Sequence, residues 1–189
     1  DSVHGVFPYS IDYTDNSIVC DGEITHVSNC ADINMIDWKK HDVDVVFECT
    51  GLFKSRSDNL THISSGAKKV ILSSVPSDHD IQMVVLGVNE SQIDFSDQII
   101  SNASCTTNCA APMIKLINDF IGIKSAYVTT IHSYTTDQNL HDSIHSDLRR
   151  ARSAPNSIIP TTTGAAKAMS YIFPDLEIGG CGIRVPVPN

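Results

Sequence analysis

A cysteine that follows small polar residues and precedes an apolar run can be a nucleophile held at the mouth of a helix. The stretch SNASCTTNCAAP, residues 101–112, offers that arrangement at Cys105. If a helix begins there, its unpaired backbone N–H groups and its dipole favour an anion. A thiolate is such an anion, and helix N-termini lower the pKa of cysteine. An aldehyde carbonyl brought to the sulfur would become a hemithioacetal oxyanion, which the same N–H groups could stabilise. The reaction needs a base, and His132 stands at the end of the next predicted strand, AYVTTIH. The plainer readings are a buried structural cysteine at 105 and an ordinary hydrogen-bonded histidine at 132. Cys109 is expected on the same helix face, behind the nucleophile.

Three further features could hold anions. The run LRRAR brings Arg149, Arg150 and Arg152 into an otherwise acidic chain. It is either a solvated face or a bidentate phosphate clamp. The run TTTG, ending at Gly164, precedes a predicted helix and offers hydroxyls beside free N–H groups. Arg184 interrupts an apolar strand and needs a partner if it is buried. Together they favour a phosphorylated substrate.

These groups need a scaffold. The 189 residues suffice for one sizeable core or two small ones, and 41% hydrophobic against 19% charged residues reads as globular. A net charge of −9 argues against nucleic acid or an anionic membrane as the main partner. No apolar run approaches the ~18 residues of a membrane span. Six scattered cysteines read as cytosolic thiols rather than a disulfide framework. There is no CxxC pair, and Cys105 and Cys109 lie far from any histidine pair, so no metal site is expected. Turn signals TDNS and DGE within residues 7–28 predict small antiparallel strands. VDVVFECTG reads as a strand buried on both faces of a parallel sheet, followed by a helix over 55–65 and further strands at KKVILSS and IQMVVLGVN. Ligands of such sheets sit beyond the carboxyl ends of the strands, which points to Thr50, Gly51 and Ser73. Ala110, Met113, Ile114, Ile117 and Phe120 recur at helical spacing and Gly122 supplies a stop. HDSIHSDLRRARSAPNS is a polar loop of functional length, TTTGAAKAMSYIF a helix capped by threonine, and CGIRVPV a strand.

SNASCTTNC, then TTIHSYTTDQ with its histidine 27 residues after Cys105, then DLRRAR, SIIPTTTGAAKA and RVPVPN resemble the phosphorylating glyceraldehyde-3-phosphate dehydrogenases of the bacterial type. DSVHG, VDVVFECTGLF, GAKKVILS and LGVN extend the resemblance over nearly the whole chain. It implies an α/β chain: a Rossmann-like dinucleotide-binding part over 1–103, lacking its first βαβ unit, then the first part of an α+β catalytic domain over 104–189. It implies that Cys105 attacks the aldehyde and that His132 takes the thiol proton and assists hydride departure, leaving a thioester that inorganic phosphate cleaves to an acyl phosphate. The attacking phosphate maps onto Ser104, Thr106, Arg150, Thr163 and Gly164. The substrate phosphate maps onto Thr135, Asp137 and Arg184, with Asp137 orienting a neighbour or the substrate. Thr50, Gly51 and Ser73 match cofactor contacts, the cofactor being NAD or NADP, with NAD favoured. The partners implied are a small phosphorylated aldehyde and inorganic phosphate, in a cytoplasmic homotetramer.

The chain also departs from that pattern. The Gly-rich turn and its acidic ribose partner are not found, nor is the C-terminal part of the catalytic sheet, so residues 1–189 alone are expected to be inactive. Thr136 stands where the family carries Asn, and Ser143-Ile144 where NAD-specific members carry Leu-Pro. The rival readings are an erythrose-4-phosphate dehydrogenase, disfavoured by TTTGAAKA, and a truncated non-catalytic interaction protein.

Overall fold

The structure, a computed structural model, describes residues 3–189. Asp1 and Ser2 of the DSVHG motif lie outside the described residues. The two turn signals produce a three-stranded antiparallel meander of β1 (Ile11–Thr14), β2 (Ser17–Cys20) and β3 (Glu23–His26). Asp21 and Gly22 close the second hairpin, both at positive φ (50° and 88°), as a two-residue turn matched to strand twist requires.

The next four strands are all parallel: β4 (Val45–Glu48), β5 (Lys69–Leu72), β6 (Gln82–Met83) and β7 (Ile99–Ser101), in the order β4-β5-β7-β6. Helix α1 (Arg56–Ser64) makes the crossover from β4 to β5. It starts at a capping box, in which Ser55 Oγ accepts from Asp58 N–H and Asp58 accepts from Ser55 N–H. Trp38, Val43 and Ile63 pack against a core of Val46, Ala67, Val70, Leu72, Ile81 and Ile99. Two expectations need correction. Strand β4 is not buried on both faces: Val46 and Glu48 point inward, while Val45 and Phe47 are exposed. One face packs on the core, and among the described residues nothing covers the other. Strand β6 is shorter than IQMVVLGVN suggested, because Asn89 takes over the ladder. Its side chain accepts from Val85 N–H at 2.8 Å and donates to the Met83 carbonyl at 2.9 Å.

Arg56 ties the start of α1 to this sheet. Its guanidinium donates to both carboxylate oxygens of Asp97 (3.0 and 2.9 Å) and to Asp80 Oδ2 (2.5 Å). It holds the Asp97 carboxyl below the usual carboxylate range, chiefly by hydrogen bonding. A depressed folded-state pKa gives stability that is present above the unfolded value of about 3.9 and lost as pH falls through the folded one. Arg56→Met is therefore expected to cost roughly 2 kcal/mol at pH 7. Urea titrations at pH 7 and pH 3 should show that deficit shrinking at the lower pH.

Helix α2 (Cys105–Ile121) follows β7 and ends at Gly122, whose φ of 76° supplies the stop. Its expected apolar stripe is only partly core: Ala110 and Ile114 are buried, but Met113, Ile117 and Phe120 are exposed. A second sheet then forms from β8 (Ser125–Ser133), β9 (Ile159–Thr161) and β10 (Glu177–Val185), with α3 (Ala165–Ile172) between β9 and β10. Its order is β8-β10-β9, β10 running parallel to β8 and antiparallel to β9. Strand β10 begins well before CGIRVPV. Its first half is rich in glycine, and a Cβ at Gly180 would stand 2.7 Å from the Val128 carbonyl oxygen. Close approach to β8 fixes that residue type, leaving no apolar alternation to read. Helix α3 has Gly164 as its N-cap, and Thr163 just ahead of it accepts from the first helical N–H, that of Ala165, at 3.2 Å.

Helices α2 and α3 bridge the two sheets, packing Ala110, Ile114, Ala165 and Met169 against Ile178 of β10 on one side. On the other, Met83, Val85 and Ala103 from the parallel sheet pack with Ala111 of α2 and Ala168 and Ile172 of α3. This contact brings the carboxyl ends of β5 and β7 to the ends of β8 and β10. Among the described residues no helix is long and apolar enough to cross a membrane.

Candidate active site

Cys105 is the first residue of α2, as its local sequence predicted. Two features put it there. Ala103 adopts φ of 56°, a left-handed conformation costly for alanine, and turns the chain from β7 into the helix. Ser101 secures that turn: its hydroxyl donates to the Ser74 carbonyl (2.7 Å) and accepts from Ala103 N–H (2.9 Å). Ser104 is the N-cap and accepts from Thr107 N–H at 3.1 Å. Cys105 thus stands at the helix end where unpaired first-turn N–H groups and the dipole favour negative charge.

His132 approaches from β8, its Nε2 3.4 Å from Cys105 Sγ. Strand register places Arg184 of β10 directly beside it. His132 Nδ1 lies 2.8 Å from the Ser133 carbonyl oxygen and 2.5 Å from Arg184 Nη1. These contacts are alternatives, because a guanidinium only donates and a carbonyl only accepts. With Arg184 donating to Nδ1, the ring proton is on Nε2 and faces the sulfur. With Nδ1–H donating to Ser133, Nε2 is free to accept the thiol proton. Arg184 also donates to the Ser133 carbonyl at 3.0 Å, so it can keep its place in either state. Burial, and then the charge of Arg150, push the Arg184 pKa down.

A cleft of about 420 Å³ opens at this point, between the two sheets. Cys105, His132 and Arg184 line it, and so do Ser104, Thr106, Arg150, Thr163, Gly164 and Ser73. The basic run divides as its two readings did. Arg149 and Arg152 pair with Asp147 and Asp142 in their own loop, whereas Arg150 alone reaches the cleft. Arg150 is mostly buried, donates from Nε and Nη2 to Thr161 Oγ1 (3.2 and 2.7 Å), and pairs with Asp137. Asp137 thus contacts the arginine assigned to the other anion pocket, and it does not line the cleft. Thr135 is also outside it; its N–H donates to the buried Gln138 at 3.2 Å. Thr50 and Gly51 lie beyond the end of β4 and do not line it either.

Beyond the site residues already named, Lys54, Ser74, Thr130, Thr161 and Thr162 also line the cleft. Thr161 had a readable signal, since it belongs to the TTTG run that was singled out. Lys54 had none: it comes from the loop between β4 and α1, and only the packing of the two sheets brings it near Cys105.

Two family models match the chain. One describes the C-terminal domain of glyceraldehyde 3-phosphate dehydrogenase and covers residues 104–189; the other describes the NAD-binding domain of the same enzyme and covers residues 1–56. Among curated relatives, glyceraldehyde-3-phosphate dehydrogenase 1 of Bacillus subtilis is 47% identical over the full chain. The glyceraldehyde-3-phosphate dehydrogenases of Priestia megaterium and Zymomonas mobilis are 46% and 45% identical, again over all of it. The chain spans 57% of the length of each of these relatives.

Proposed function

Since this chain belongs to the glyceraldehyde 3-phosphate dehydrogenase family, we propose that the whole protein oxidises glyceraldehyde 3-phosphate, with inorganic phosphate, to 1,3-bisphosphoglycerate. The observation that carries this reading is the 3.4 Å contact between Cys105 Sγ and His132 Nε2 at the start of α2, inside a cleft that also holds two arginines. Residues 1–103 serve the dinucleotide and 104–189 the chemistry. Cys105 attacks the aldehyde carbon, and first-turn N–H groups of α2 face the oxyanion that forms. His132 takes the thiol proton at Nε2 and later holds the hydroxyl proton of the hemithioacetal. Arg184 binds the substrate phosphate, with Thr135 and Asp137 shaping that side. Arg150, with Ser104, Thr106, Thr163 and Gly164, binds the phosphate that cleaves the thioester.

The chain fits a nicotinamide dinucleotide at the carboxyl ends of β4 and β5. Ser73 lines the cleft beside Cys105, and a Cβ at Gly51 would meet no atom within 4 Å, so the turn after β4 is open. Thr50, Gly51 and Ser73 would hold it, as ligands of parallel sheets are held. When bound it supplies the hydride acceptor that makes the thioester an oxidation product. NAD is the form favoured.

Thiol reactivity tests the reading. Cys30, Cys49, Cys105 and Cys109 are all exposed, so exposure alone predicts similar alkylation of the four. With the helix N-terminus and His132 acting on the sulfur, iodoacetamide is expected to modify Cys105 at least about tenfold faster near neutral pH. Peptide mapping by mass spectrometry would show this, and equal rates at the four sites would remove Cys105 from the mechanism.

A further inference from the structure

Glu48 and His62 are only 4% and 3% exposed, and the chemistry above uses neither. They form the middle of a buried chain of hydrogen bonds. Trp38 Nε1–H donates to His62 Nδ1 at 3.0 Å. An indole only donates, so the proton of His62 is on Nε2, 3.3 Å from Glu48 Oε2. Glu48 Oε1 accepts from Thr50 N–H at 2.8 Å and also from the Thr50 hydroxyl. The Thr50 oxygen in turn accepts from Leu52 N–H at 3.1 Å. Every group facing Glu48 is a donor, and the glutamate serves as an acceptor throughout.

Fold stability does not account for this arrangement. Replacing both partners of a buried hydrogen bond by apolar groups of the same shape can be nearly neutral, and Val46, Val70 and Leu72 already give the same sheet an apolar core. What the chain of bonds does fix is the turn Thr50–Gly51–Leu52, where Gly51 has φ of 71°. The parallel register puts Glu48, Leu72 and Ser101 in one row across the sheet. Ser101 holds the backbone just beyond its own strand, ahead of Cys105. Glu48 does the same beyond β4, on the cofactor side.

We propose that Trp38, His62 and Glu48 are positioning residues that preset the Thr50–Gly51 turn for the nicotinamide dinucleotide and so set its affinity without touching it. This inference rests on the cofactor reading above. The tautomer makes it testable. In Glu48→Gln an amide N–H must face either His62 Nε2–H or Thr50 N–H, and a donor meets a donor. Removing the indole N–H as well, in Glu48→Gln/Trp38→Phe, lets His62 move its proton to Nδ1 and accept from the amide at Nε2.

The experiment is calorimetric titration of NAD, and of NADP in parallel, into the whole protein and these variants, with Cys105 alkylation measured alongside. Glu48→Gln is expected to weaken dinucleotide binding about tenfold, the scale of one buried hydrogen bond left unmade. Cys105 alkylation should stay within about twofold, and the double variant should recover most of the lost affinity. A general loosening of the fold would move alkylation and would not be rescued by a second core substitution. Unchanged affinity in Glu48→Gln, or no recovery in the double variant, overturns the relay. Should Glu48→Gln fail to fold, His62→Phe removes the donor to Glu48 together with the acceptor of the Trp38 indole; about threefold weaker binding supports the relay and unchanged affinity overturns it. If the wild-type protein binds neither dinucleotide, the cofactor reading itself falls and the relay falls with it.

Discussion

His132→Asn in the whole protein is expected to lower turnover by roughly 10²–10⁴-fold, the usual contribution of a positioned acid–base group. Asparagine can approximate the Nδ1 side of the ring but cannot take a proton from sulfur. The Nε2 atom 3.4 Å from Cys105 Sγ is lost, and no other imidazole lines the cleft. The Michaelis constants should change far less than turnover, since both arginines remain. Alkylation of Cys105 should slow in the same variant. Turnover within about twofold of wild type would take His132 out of the mechanism.

The next largest effects are expected from the two arginines, and they should separate. Arg184→Leu is expected to raise the Michaelis constant for glyceraldehyde 3-phosphate by roughly 10- to 100-fold, the loss of a charge-assisted hydrogen-bonded contact. It should also lower turnover, because Arg184 Nη1 lies 2.5 Å from His132 Nδ1 and helps to choose the tautomer of the base. With unphosphorylated glyceraldehyde the binding penalty should disappear and the turnover penalty persist. Arg150→Leu is expected to raise the constant for inorganic phosphate by a similar factor and to leave the aldehyde constant nearly unchanged. Kinetics varying each substrate in turn would test the assignment. A rise in the same constant alone for both variants would show that the two arginines serve one pocket. The Asp137–Arg150 pair makes the test sharper, since Asp137→Asn should free Arg150 and lower the constant for inorganic phosphate.

Much of the scaffold was legible in the chain because it depends on local rules. Asp21-Gly22 closes a hairpin because only such residues accept positive φ twice in succession. Ser104 ahead of Cys105 caps a helix because its hydroxyl satisfies an otherwise unpaired N–H. Those rules located Cys105 at a helix N-terminus and His132 at a strand end with no reference to the rest of the molecule. Local sequence misjudged what lies beside an element. Phe47 and Phe120 look like core residues and are exposed, because burial depends on what packs against a face and not on the residues within it. The glycine-rich half of β10 was invisible because its residues answer to close neighbours in β8 and β9, Gly180 to the Val128 carbonyl and Gly182 to Thr161, rather than to any alternation of their own.

The sequence by itself determined the chemical inventory: a thiol at a helix start, an imidazole, a run of three arginines and Arg184 as candidate anion holders, and strand ends where a ligand can sit. Residue type and spacing suffice for that, since helix capping and strand termination act within a few residues. Only the tertiary structure decided the pairings. It set His132 beside Arg184 through parallel strand register, turned Arg150 alone of its run into the cleft, brought Asp137 to that arginine and added Lys54 from a distant loop. It also buried Glu48 against His62, 14 positions further along the chain, and brought Trp38, 24 positions before His62, to the other side of that ring. Such contacts arise from the packing of one sheet against another and of a helix against a strand. Their partners are set by three-dimensional register, which no local pattern encodes.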